Sequence, residues 1–81
     1  MEEIFLKSYY ADEDMYVFVH FRGEDAIRQI ELTTAFKRFM SEDSPFDGDS
    51  MLYDQDFSDL TLDERSSFIT EEEFDEIWNN R

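Results

Sequence analysis

Eighty-one residues carry 22 carboxylates against seven basic side chains, a formal charge of −15. A field of that sign disfavours direct binding to the phosphate backbone or to anionic lipid, and favours a basic partner protein. The chain has no cysteine, which removes disulfides and thiolate metal sites and fits a reducing, cytoplasmic setting.

Low hydropathy with high net charge would ordinarily mean disorder. Nine Phe, four Tyr and Trp78, with only two Gly and one Pro, point the other way, because each aromatic buries roughly 150–250 Å². One folded domain over residues 1–81 is expected, an acidic shell around an aromatic interior. No apolar run reaches the roughly 20 residues of a membrane span, and no basic segment followed by an apolar one opens the chain as a secretory signal would.

Residues 1–32 read as antiparallel strands. Ile4–Tyr10 and Met15–Phe21 are rich in β-branched and aromatic residues. Ala11-Asp12-Glu13-Asp14 and Arg22-Gly23-Glu24-Asp25 are short polar turns, and Ala26–Leu32 is a third strand. Loops this short imply an antiparallel meander. Alternation places Met15, Val17, Val19 and Phe21 on one face, joined by Ile30 and Leu32, with Tyr16, Phe18 and His20 on the other. Gln29 and Glu31 are then expected in solvent.

Residues 33–40 read as a short helix, capped by Thr33 or Thr34, with Phe36, Phe39 and Met40 at i, i+3 and i+4. Residues 41–68 read as an acidic, loop-rich segment: 41–50 is loop by composition, and 51–68 settles on no single period, with a helical turn expected near Leu60–Ser66. Residues 70–80 read as a C-terminal helix. Thr70 and Glu73 form a capping box, Ile69 and Phe74 a hydrophobic staple, and Phe74, Ile77 and Trp78 one apolar stripe. The fold class expected is α+β: a three-stranded antiparallel meander with a short helix, and the C-terminal helix packed on the Val17 face.

Chemistry is sparse. Asp43, Asp47, Gly48 and Asp54 fall at positions 1, 5, 6 and 12 of a calcium loop, but Pro45 occupies position 3 and position 12 is not Glu. His20 has no second His or Cys to complete a metal set and reads as a surface or interface residue. No Gly-x-Ser-x-Gly elbow or phosphate-binding glycine loop is present. No catalytic residue, cofactor or metal is expected, and the chain reads as a non-enzyme.

The charge is unevenly spread. Residues 1–40 hold eight acids and five bases; residues 41–80 hold fourteen acids and only Arg65. Ordinary small domains carry a net charge of magnitude about 2–8 with both signs interspersed. The candidate partner-binding carboxylates are Glu42, Asp43, Asp47, Asp49, Asp54, Asp56 and Asp59 in the middle segment, with Glu71, Glu72, Asp75 and Glu76 on the last helix. Tyr9, Tyr16 and Phe18, opposite the main apolar stripe, are the candidate aromatic anchors.

In size, acidity and sheet-plus-helix make-up, with its acid run from Glu42 to Glu76, the chain resembles the small phage proteins that mimic DNA to inhibit host defence nucleases, the anti-CRISPR and anti-restriction inhibitors. That resemblance implies a partner that is a basic nuclease or CRISPR effector in the bacterial cytoplasm, blocked from taking up DNA. Ile27–Glu31 and Ile69–Trp78 are also similar to segments of small acidic immunity-type domains, which would imply neutralisation of a co-encoded nuclease toxin. An acidic phage regulator of a polymerase is a further alternative.

Overall fold

In the computed structural model, which describes residues 2–80, the expected meander is present as β1 (Glu3–Tyr10), β2 (Met15–Arg22) and β3 (Asp25–Leu32). It is the centre of a larger sheet. Two more strands flank it, β4 (Lys37–Ser41) beside β3 and β7 (Ser66–Phe68) beside β1, giving five antiparallel strands in the order β4-β3-β2-β1-β7. A two-stranded hairpin, β5 (Phe46–Asp47) and β6 (Ser50–Met51), pairs only within itself and lies against β4. A 3-10 turn (Phe57–Asp59) precedes β7, and α1 (Glu71–Asn79) closes the chain.

The short helix expected at 33–40 is instead a turn and a strand. Thr33 Oγ1 accepts from the N–H groups of Ala35 and Phe36, both at 3.0 Å, and the Thr33 N–H donates to the Phe36 carbonyl. A Thr hydroxyl closes turns as readily as it caps helices, and this one folds the chain back against β3. Phe39 and Met40 then serve opposite faces of the sheet, a use that a strand permits and a helix does not. The helical turn expected near Leu60–Ser66 is likewise absent: the 3-10 turn lies earlier, and Ser66 already belongs to β7.

A single bulge decides which way the sheet faces. The β2–β3 hairpin pairs Arg22 with Asp25 and Phe21 with Ala26, but the next pair is His20 with Arg28. Ile27 is the extra residue. A slip of one position exchanges the two faces of a strand, so Ile30 pairs with Phe18 rather than with Val17. Ile30 and Leu32 therefore lie on the Phe18 face, and Gln29, expected in solvent, is buried on the Val17 face.

The helix follows the exchange. Phe74 packs with Phe5, Phe18 and Ile30, joined by Leu32, Phe39, Ile69, Ile77 and Trp78. Thus α1 covers the Phe18 face and not the Val17 face. The Val17 face is covered by the middle segment: Val17, Val19, Phe21 and Ala26 pack against Leu52, Tyr53, Phe57 and Leu60. Each cover is pinned by a polar residue of β3, Gln29 fully buried and Arg28 partly so. Gln29 accepts from the Tyr53 N–H at 2.9 Å and donates to Glu31 at 3.0 Å. Arg28 reaches Asp75 of α1 at 2.9 Å.

The α1 terminus is as expected, with Thr70 Oγ1 accepting from the Glu73 N–H at 3.1 Å and three glutamates at the positive end of the helix dipole. Despite the charge, the radius of gyration is 11.9 Å, close to the roughly 12 Å of a compact chain of this length. Among the described residues no helix is long and apolar enough to cross a membrane.

Candidate functional site

The strands bring one end of the sheet to a point where both covers begin. Glu3, Arg22, Asp25 and Ser41 mark that end; the Ala11–Asp14 turn and Leu32 mark the other. Strands of eight residues separate the two ends by about 25 Å. At the first end, Glu42, Asp43 and Glu71 line an open depression of about 320 Å³ over Arg22 and Arg28. Glu42 also lines a second depression of about 300 Å³, shared with Asp25, Asp54 and Asp56. Glu42 joins the two, so the acids pass from the helix side of the sheet around its end to the other side as one rim.

The remaining candidates are dispersed. Asp49 is exposed at the tip of the β5–β6 hairpin, Asp59 on the 3-10 turn and Glu72 on α1. Asp47 turns inward, its carboxylate accepting from the Phe39 N–H at 2.9 Å. Asp75 is committed to Arg28. Glu76 lines a depression with Leu32 and Lys37, at the opposite end of the sheet. Asp25 belongs to the rim although its sequence context, a hairpin turn, gave it no prominence.

Two arginines beneath the rim, Arg22 and Arg28, are engaged by neighbours. Arg22 holds Glu3 through two Nε contacts and one from Nη2, at 3.0–3.2 Å. This guanidinium, aided by His20, holds the Glu3 carboxyl down to about 2. Arg28 lies over the rings of Phe74 and Trp78, at 4.7 and 5.3 Å from their centroids. Elsewhere Asp63 is held below the usual carboxylate range by Arg65, at 2.7 Å. Hydrogen bonds from Ser58 likewise hold Glu24 low.

His20, expected at the surface, is 2% exposed. It stacks on Phe5 with ring centroids 4.2 Å apart and meets Phe74 edge-on. Burial pushes its ionisation below the usual histidine value, and Arg28 adds to that. The candidate anchors also move. Phe18 is core. Tyr9 is half-buried and donates to Asp14 at 2.8 Å, and Tyr16 is exposed beside Lys7. Both tyrosines sit at the end of the sheet away from the rim.

Phe46 and Phe68 are more exposed than Tyr16, at 66% and 64% against 40%. Gly48-Asp49 is the signal for Phe46, since a Gly-Asp pair between two short runs marks a two-residue hairpin. Gly48 has φ +61° at the first central position of that turn, where a Cβ would be strained. Among the described residues no group of three or more Asp, Glu or His side chains could hold a metal ion. The stretch from Asp43 to Asp54, which matches a calcium loop only in part, contains this hairpin. Comparison of the chain with protein-family models, with curated proteins and with solved structures finds no match.

Proposed function

We propose that this protein is a stoichiometric inhibitor that docks its acidic rim on the basic nucleic-acid-binding surface of a nuclease or CRISPR or restriction complex, and so keeps DNA out. One observation carries the reading. Of the fourteen carboxylates between Glu42 and Glu76 only Asp47 and Asp75 are not exposed, and the sole base in that stretch, Arg65, is tied to Asp63. Duplex DNA presents a continuous line of negative charge, and in its place a groove built for it would meet the exposed carboxylates Glu42, Asp43, Glu71, Asp25, Asp54 and Asp56 of this rim. Turnover chemistry has no part in the reading; occupancy suffices.

The rim and the Ala11–Asp14 turn lie about 25 Å apart, several times the roughly 8 Å Debye length at physiological salt. They are electrostatically separate surfaces, which gives an internal control. A basic partner captured from a bacterial lysate on the immobilised chain should lose its DNA binding when the wild-type protein is added. The pair Asp54→Lys/Asp56→Lys should weaken that effect at least tenfold, whereas Asp12→Lys/Glu13→Lys, with the same change in net charge, should leave it within about twofold. Equal losses from both pairs would reduce the effect to bulk charge and defeat the reading.

A further inference from the structure

The β5–β6 hairpin is folded inside out. Phe46 pairs with Met51 and Asp47 with Ser50, so each pair occupies one face of the ribbon. In ordinary hairpins the apolar pair turns to the core and the polar pair to water. Here Ser50 is buried: its hydroxyl donates to Glu31 and accepts from Arg38 at 3.0 Å. Asp47 accepts from the backbone of β4. Phe46 and Met51 are left 66% and 48% exposed.

This exposure is specified by the register. A slip of one residue would bury the apolar pair and free the polar one, yet three polar bonds and the Leu52 N–H to the Pro45 carbonyl at 2.8 Å hold the present arrangement. Gly48 packs on Arg38, whose Nε would lie 3.1 Å from a Cβ there, which fixes the turn against the sheet. A rigid, solvent-facing Phe–Met pair has the character of an interface anchor.

We infer that Phe46 and Met51 insert into an apolar recess on a cationic protein surface, and that this contact sets how long the complex lasts. The inference rests on the inhibitor reading and names its anchor. The flanking acids Asp43, Asp49 and Asp54 are all exposed, so charge complementarity selects a basic partner. A second copy of this chain would bring a charge of −15 against another −15, which opposes self-association. The rim steers encounter, and the hairpin governs release.

The test uses the captured, purified partner in an immobilised-ligand kinetic assay, with wild-type protein, Phe46→Ser/Met51→Ser and Asp43→Asn/Asp49→Asn. The apolar pair variant is surface-only, and an unchanged melting temperature checks its fold. It should raise the dissociation rate at least tenfold and leave the association rate within about twofold; the carboxamide pair should chiefly slow association. An unchanged dissociation rate for Phe46→Ser/Met51→Ser overturns the anchor. So does a wild-type dimer in sedimentation that the same variant dissolves, or the absence of any retained partner. If the variant releases a partner that DNA does not compete for, the anchor stands and the inhibitor reading falls. If DNA competes while the variant binds as wild type, the reverse holds.

Discussion

Arg28 donates from Nε to Nδ1 of His20 at 2.9 Å, beneath the C-terminal helix. An arginine is always a donor, so Nδ1 must accept and the proton of the neutral ring sits on Nε2, which donates to Glu3 at 3.0 Å. The same guanidinium reaches Asp75 of α1 through Nη2. The ring thus links the first strand to the last helix, and only its neutral form fits.

Acidification should therefore loosen the helix before it touches the carboxylates. His20 has a folded-state pKa below its ordinary 6.5, because burial and Arg28 disfavour the cation. Its stabilisation is complete above the unfolded value and is lost as pH falls from 6.5 towards the folded one. Glu3, held at about 2 against an ordinary 4.5, adds a second loss, which begins only below 4.5. Between pH 7 and 5 the melting temperature of the wild type should fall, while His20→Gln, which keeps a neutral donor and acceptor, should show a flatter profile. Parallel profiles for the two proteins would contradict this.

Phe74 is fully buried among Phe5, Phe18 and Ile30. Phe74→Ala should cost about 3–5 kcal/mol, a large part of the stability of so small a domain. Phe68, exposed on β7, should change stability by no more than about 0.5 kcal/mol when replaced by Ala. Denaturant unfolding of the two variants measures the contrast directly; similar losses would mean that the helix does not cover this face.

Asp47 caps the backbone of β4, the last strand on its side of the sheet, through the Phe39 N–H. A carboxylate over a strand edge also discourages a second chain from pairing there. Asp47→Ala should cost about 1–3 kcal/mol by leaving that donor without its charged acceptor. The Phe39 amide should then exchange hydrogen markedly faster. Unchanged exchange at Phe39 would show that the carboxylate does not hold it.

The meander and the C-terminal helix were legible because both follow local chemistry: Gly23 in a tight turn, alternating aromatics, and Thr70 with Glu73 at a helix start. What escaped was tertiary. The bulge at Ile27 carries no sequence signature, and it alone reverses which face Ile30 and Leu32 join. With the faces exchanged, the helix and Gln29 fall on the sides opposite to those expected, and His20, on its expected face, is covered by the helix rather than left at the surface. Phe39 and Met40 misled for a related reason, since adjacent apolar residues that serve two covers mimic helical spacing. The acids were visible from composition, but their gathering into a rim at Glu42 depends on where β4 ends, which the turn from Ser41 to Ser44 and the Glu42 N–H to the Ile27 carbonyl set.

Displacement of DNA is the most direct measurement of the rim's role. Labelled duplex bound to the purified basic partner should be released completely, as read by fluorescence anisotropy, once the protein reaches saturation. Measured on the DNA-free partner, the dissociation constant of the protein should rise steeply between about 50 and about 200 mM salt, because its contacts are ionic. An anisotropy that stays high while the protein is itself bound, a ternary complex with DNA still in place, would contradict the account.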